Sequence, residues 1–327
     1  MTEQSFIQRR NHIWNEFSVL VRGNKKELKK GAVKFVNRYR EITQDLNTAK
    51  ANGYDPVIIE RLNALVNEGN QILYSQYTFP FKNFFNFITK TFPQKVRSQW
   101  KGILASMLLF YGIMFFFGIM CVYFPDISGD LLPNDELSSM EHMYNPESSL
   151  YLTPPNVSGN ADMFGYYIYN NISIAFRTFA SGIFAGFGSL LLLCFNAGIF
   201  GIIGGYLISI GYAKTFIPFV IAHGAFELTA IVFFAHAGLL LGYNFFITKG
   251  LSRAASIKKA GQDALPIIAG STLMLVLAAA IEAFWSSNYH YPIQLRIGAG
   301  IVCWVLVLLY FLFAGRNSAK SETGENL

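Results

Sequence analysis

The chain has 327 residues, 16% of them aromatic and only 14% charged, where a soluble domain carries about 25% charged residues. The deficit is local: residues 1–101 hold 17 of the 26 basic and 8 of the 20 acidic side chains, a net of +9, and the remainder carries −3. This excludes a wholly soluble protein. It also argues against nucleic acid as a partner, because no zinc-finger spacing or glycine-rich aromatic motif accompanies the basic front, which suits an anionic membrane leaflet instead.

The front is helical by pattern. Phe6, Arg9, Arg10 and Trp14 open one helix, and Val33, Phe35, Val36, Tyr39, Ile42 and Leu46 repeat at three- and four-residue steps. Asn52-Gly53-Tyr54-Asp55-Pro56 stops that helix and starts the next, with Gly53 as terminator, Asp55 as cap and Pro56 in the first turn. Ile58, Ile59, Leu62, Leu65, Val66 and Leu73 make a third amphipathic helix. The expectation is a cytoplasmic helical domain over residues 1–98, with a Phe-rich interfacial helix at 79–92.

Residues 99–327 form the expected transmembrane domain of a polytopic all-α membrane protein with about six spans. The first, 102–124, carries no charge. No Lys or Arg occurs between Gly102 and Phe176, so the acidic loop 125–169, with seven acids, is placed outside and the N-terminus inside. The loop reads as partly irregular, with Tyr151, Tyr166, Tyr167 and Tyr169 at the outer interface. A second span covers 173–195. Asn196-Ala197-Gly198 reads as the break before a short third helix carrying Gly198, Gly201, Gly204 and Gly205, with Lys214 at its outer end against the charge rule; a re-entrant third helix is the alternative. The fourth span, 215–246, delivers Lys249, Arg253, Lys258 and Lys259 inside. The fifth covers 265–285 and the sixth 293–314, ending at Arg316 and Lys320. Both termini are expected inside a cell inner membrane. Cys121, Cys194 and Cys303 sit in apolar segments without paired spacing, as small core hydrophobes. No signal peptide is expected, since the first apolar run follows Lys101.

One constellation stands out. The fourth span carries His223 and Glu227 at i and i+4, on one face, and Gly238 returns to that face. His236 lies half a turn round and is expected to serve another neighbour. A full charge near a bilayer centre costs about 3 kcal/mol or more. Counted from the predicted outer ends, Arg177, Glu282 and Arg296 lie at similar depth to His223, with Glu227 near mid-membrane. The expected polar cluster is His223, Glu227, Glu282, Arg177, Arg296 and Asn171, with an arginine neutralising a glutamate. Two carboxylates and a histidine could bind a metal, but the ligands are few and the arginines compete for the acids, so no metal and no cofactor is expected. A proton or ion path fits better. No nucleophile elbow or phosphate loop appears, and Ser181-Gly182 is only a weak serine-protease signal, so no catalytic residue is named.

The chain resembles the stage II sporulation protein M family of integral membrane proteins. The resemblance rests on Asn170-Asn171-Ile172 with Phe176, Asn196-x-Gly198, His223-Gly224-x-x-Glu227-Leu228-x-Ala230, Gly238-Leu239-x-Leu241-Gly242 and Ile281-Glu282-Ala283-Phe284. At the front it rests on Phe6, Arg9-Arg10, Trp14, Tyr39-Arg40, Asp45-Leu46, Leu62-Asn63-x-Leu65-Val66 and Leu73-Tyr74. Ala197, where Gly is expected, departs from the pattern. The resemblance implies a membrane anchor: the family's namesake holds a complex that remodels peptidoglycan during engulfment, and the wider family occurs in bacteria that never sporulate. The expected role is a membrane scaffold with lipid around it and membrane or envelope protein partners, and the alternative is a transporter or channel using the polar cluster. The glycine-rich helices are compatible with a homodimer and equally with packing inside one chain.

Overall fold

Apolar residues at helical spacing dominate the chain, and every regular element among the described residues is helical. The computed structural model describes residues 2–22, 32–75, 81–148, 157–248 and 250–316. Tyr151, Lys249 and Lys320, and the opening of the expected interfacial helix, lie outside them. The chain divides into two compact units, Met1–Phe84 and Phe85–Leu327.

In the first unit, helices α1 (Glu3–Arg22), α2 (Ala32–Ala51) and α3 (Pro56–Ser75) close over one apolar cluster that includes Phe6, Trp14, Phe17, Ile42 and Leu62. Each such side chain contributes roughly 1.5–3 kcal/mol when fully buried. The turn between α2 and α3 follows from its residues. Gly53 takes φ 62°, and the Val57 N–H donates to Asp55 Oδ1 at 2.8 Å just inside the proline-led start of α3. Among the described residues of this unit one acid is buried, Asp45, and it is fully answered. Asp45 accepts from Trp14 Nε1 at 2.8 Å and from Arg10 Nε at 2.9 and 3.0 Å.

The phenylalanine-rich stretch runs through α4 (Phe81–Asn86), a π-helical turn (Phe87–Thr91) and α5 (Phe92–Ser98). Phe81 and Phe85 are exposed, whereas Phe92 is buried against Phe233 and Phe311, with ring centroids 6.4 and 5.4 Å away. The end of the stretch is therefore part of the second unit. Arg97 donates to the Phe311 and Ala314 carbonyls at 2.8 and 2.6 Å, which satisfies open acceptors at a helix C-terminus.

Six long helices build the second unit: α6 (Trp100–Tyr123), α9 (Val157–Ala180), α10 (Phe187–Ser209), α11 (Ala213–Phe246), α12 (Arg253–Ile281) and α13 (Ile293–Phe313). Two short helices, α7 (Ile127–Leu131) and α8 (Asn134–Tyr144), precede α9. Five of the six are long and apolar enough to cross a membrane, α12 counted together with the turn that follows it. The exception is α9, which carries Asn160, Asp162, Asn170, Asn171 and Arg177 along its length. The protein is thus a helical, multi-pass membrane protein. Its axis is α11, which packs against α6, α9, α10, α12 and α13 and is buried without interruption from Thr229 to Gly238. At 34 residues it is about 50 Å long, against about 30 Å of hydrocarbon.

The expected break at Asn196-Ala197-Gly198 is not there: α10 runs straight through it. Asn196 Nδ2 turns back to the Leu192 carbonyl at 2.7 Å, and a Cβ at Gly201 or Gly205 would collide with the Met114 or Gly118 carbonyl of α6. These glycines serve close helix approach, not a turn. The break lies at 181–186, where Ala185 and Gly186 take φ 57° and 82°. Gly242 of α11 packs directly on that turn, since a Cβ there would overlap the Gly186 backbone nitrogen. Consequently α9 (Val157–Ala180) begins and ends about 15 residues earlier than the expected second span of 173–195 does, and α10 is a full-length helix instead of a short or re-entrant one.

The acidic loop is also more ordered than its composition suggests. Leu132 and Leu137 pack with Cys121 and Ile202, and Tyr144 packs with Leu207 and Phe219. Thr215 Oγ1, at the start of α11, donates to the Tyr144 carbonyl at 2.6 Å. So α8 is docked on the end of α11 that leads to His223.

Candidate functional site

Helical geometry alone puts His223 and Glu227 one turn apart on α11. The third member arrives because α12 does not end cleanly. At Ile281 it widens into a π-helical turn, Glu282–Ser286, a deviation often found at functional sites. This brings Glu282 to the α11 face. One ligand atom from each of His223, Glu227 and Glu282 lies within 4.8 Å of the others. All three are withdrawn from solvent, with Glu227 8% and Glu282 9% exposed.

The same turn supplies Ser286, whose Oγ sits 3.1 Å from His223 Nδ1. When Nδ1 carries the proton and donates to Ser286, Nε2 keeps its lone pair. Asn171 of α9 lies beside the Glu282 carboxylate, and its own Oδ1 accepts from Asn170 Nδ2 at 3.1 Å. Phe219 packs edge-on to the His223 ring at 5.4 Å. Tyr144 and Tyr167 lie within electrostatic reach of Glu282 and Glu227, and Tyr289 within reach of those two tyrosines. Burial pushes the Tyr144 phenol well up, so it remains a protonated donor at neutral pH.

Of the expected cluster, His223, Glu227, Glu282 and Asn171 do come together. Arg177 does not: it is exposed and sits in the last turn of α9. Its expected depth assumed a span beginning near residue 173; α9 instead runs from Val157 to Ala180, so Arg177 sits at its end, six residues and about 9 Å along the helix from Asn171. Arg296 is adjacent and fully buried at 1% exposure, but its chemistry differs from the expectation. Its Nη2 donates to the Ser286 carbonyl at 2.7 Å, and the guanidinium lies 5.1 Å from the centre of the Tyr289 ring. Among the described residues no ion pair joins either arginine to Glu227 or Glu282. His236 faces elsewhere, against Gly102 of α6.

The comparisons with known proteins bear on the same residues. The family model for stage II sporulation protein M matches residues 106–287, more than half of the chain. The chain belongs to that family. The match contains Asn171, His223, Glu227, Glu282 and Ser286, so the whole acid-histidine group lies within the part the family defines. A second model, a domain of unknown function (DUF8413), matches residues 4–75, which coincides with the three helices of the first unit. No curated protein and no solved structure matches this family member.

Chemically the group is one imidazole nitrogen and two carboxylates, a donor set that holds a proton or a metal ion. The premise that arginines compete for the acids fails in the fold, because Arg177 is distant and Arg296 is turned to Ser286 and Tyr289. Sequence reasoning missed Ser286, Tyr144 and Tyr289. For Ser286 a signal existed, since it follows Glu282 by four residues; the two tyrosines are brought in by tertiary packing and left no local trace.

Proposed function

We propose that this family member moves a cation through a centre inside its transmembrane bundle, with Glu227 and Glu282 as the charged residues that receive it. One observation carries this reading: two buried carboxylates face each other and a histidine, and among the described residues no basic side chain is paired to either. Each buried charge costs several kcal/mol, and like charges at this separation oppose each other. A bundle selected only for packing would replace them with apolar residues at no loss. The test is reconstitution of the full chain in lipid vesicles under an imposed proton or divalent-cation gradient. Glu227→Gln and Glu282→Gln are expected to abolish flux while the protein stays folded. Wild-type vesicles as tight as empty ones under both gradients would overturn the reading.

The second reading is a membrane scaffold. It is favoured by the separate three-helix unit, which has its own core and its own family match, in the manner of a recruiting module joined to an anchor. On this reading the first unit and both termini lie on the cytoplasmic side of a cell inner membrane, α7 and α8 lie outside, and membrane or envelope proteins bind one or both faces. Crosslinking in intact cells that captures the same partner with and without residues 2–75 would count against the module's role.

A further inference from the structure

We infer that His223, Glu227 and Glu282 form a binding site for a divalent transition-metal ion, with Ser286 and Asn171 as positioning residues. This rests on the cation-handling reading and narrows its cation to one chemical class.

The donor geometry comes first. In a tetrahedral open site, metal–ligand bonds of about 2.0–2.2 Å place ligand atoms about 3.3–3.6 Å apart. The three donors lie within 4.8 Å of one another, so a closure of about 1 Å through side-chain torsions brings them into range. They come from two elements, α11 and the π-helical turn after α12, and each is fixed by backbone that is itself packed in the bundle.

The surrounding groups point the same way. A ligating histidine almost always donates its other ring N–H to a fixed acceptor, which orients the ring and raises its basicity. Ser286 Oγ, 3.1 Å from Nδ1, is placed to be that acceptor, and it leaves Nε2 as the ligand. Ser286 is held in turn, because its carbonyl accepts from buried Arg296 at 2.7 Å. The Nδ2 of Asn171 is buried and makes no well-formed hydrogen bond, although it lies beside Glu282. It becomes a donor to that carboxylate once the carboxylate is drawn onto an ion. Glu227 is more than nine-tenths buried, and no hydrogen bond or ion pair reaches its carboxylate among the described residues.

Charge decides the ion class. Two carboxylates and a neutral imidazole carry −2, and a divalent ion cancels this inside a medium that penalises any remainder. Magnesium and calcium prefer all-oxygen shells, whereas a mixed imidazole–carboxylate set suits zinc, iron(II) and their neighbours. Three protein ligands leave a position for water or for a transported or reacting group, as in open metal sites.

The experiment uses the full chain in nanodiscs, stripped with a chelator and titrated with Zn²⁺, Mn²⁺ or Mg²⁺, with bound metal counted and affinity measured by calorimetry. One Zn²⁺ or Mn²⁺ per chain is expected, with Mg²⁺ far weaker. His223→Gln, Glu227→Gln and Glu282→Gln should each lose at least about a hundredfold in affinity. Ser286→Ala should lose about 10- to 100-fold, the range typical of a group that orients a ligand. Arg177→Gln, exposed and remote, should bind as wild type. Co²⁺ loading should give a visible spectrum that changes in Glu227→Asp, a variant that keeps the charge and guards against misfolding. Absence of stoichiometric metal in the wild type, or full stoichiometry in the Glu227→Gln/Glu282→Gln double variant, would overturn the inference. The two proposals separate cleanly. Glu227-dependent proton flux in chelator-washed vesicles would sink the metal and keep the cation reading, and tight stoichiometric metal with no flux of any cation would do the reverse for transport.

Discussion

The two units treat buried acids in opposite ways. In the first, Asp45 is answered by Arg10 and by the Trp14 indole, and the more exposed Glu16 is answered by Lys34 and Arg38. Among the described residues of that unit, Asp45, Glu16 and Glu41 each meet a basic side chain, so these acids stabilise the fold. In the second, Glu227 and Glu282 face each other and a histidine, while the nearest buried cation, Arg296, is engaged with Ser286 and Tyr289. Opposition between like groups in a medium of low dielectric weakens a fold. The difference separates acids placed for stability from acids kept for chemistry.

The largest effect that would break this comparison concerns the frame that holds the second pair. Gly242→Val places carbon on the Gly186 backbone at the 181–186 turn, where no side-chain rotation can relieve it. The expected outcome is loss of folded protein in detergent, read by size-exclusion chromatography. Recovery of a monodisperse variant with wild-type thermal stability would show that the turn is not packed on α11.

Next come two substitutions whose signs should differ. Asp45→Ala strands the Trp14 indole N–H and leaves Arg10 only its longer contact with Glu41, and should cost about 1–3 kcal/mol, read as faster hydrogen exchange across α1–α3 in the full chain. Glu227→Gln removes a buried charge from an opposed pair, and in chelator-stripped protein it should leave the melting temperature of the bundle unchanged or higher. A fall in bundle stability comparable to that of Asp45→Ala would mean that Glu227 is a structural acid, and the contrast between the units would collapse.

How much of this was readable beforehand depends on the range of the interaction involved. The His223–Glu227 pair was legible because it is one helical turn within one apolar stretch, and Glu282 because a lone acid in such a stretch demands a reason. The Gly53-Tyr54-Asp55-Pro56 turn was legible because its dihedral and capping requirements are local. The break at 181–186 was not, because glycine signals both a turn and a close helix approach, and only the partner helix distinguishes them. Gly201 and Gly205 were of the second kind, and Ala185, which takes φ 57°, has no sequence signature at all. That one misplaced break carried Arg177 into the site, and Ser286 was left out because the fifth expected span ended at residue 285, one residue before the end of the π-helical turn that holds it. Tyr144 reaches the site because α8 docks on α11 through Thr215, a contact 71 residues apart along the chain.

The smallest effect tests the solvated side of the comparison. Lys34 first, then Arg38, hold the Glu16 carboxyl below its ordinary value of 4.5, with the Lys34 ammonium 2.6 Å away. A depressed acid stabilises the fold above its unfolded pKa, and that contribution disappears as pH falls through the lower folded value. Glu16→Gln should therefore raise exchange in α1 and α2 slightly at neutral pH, and the difference from wild type should vanish in acid and shrink in high salt. Because the group is on the surface, the shift should be a small fraction of that for Asp45→Ala. A difference that persists unchanged in acid and in salt would mean that Glu16 acts through packing, and charge pairing would then cease to be what distinguishes the first unit from the second.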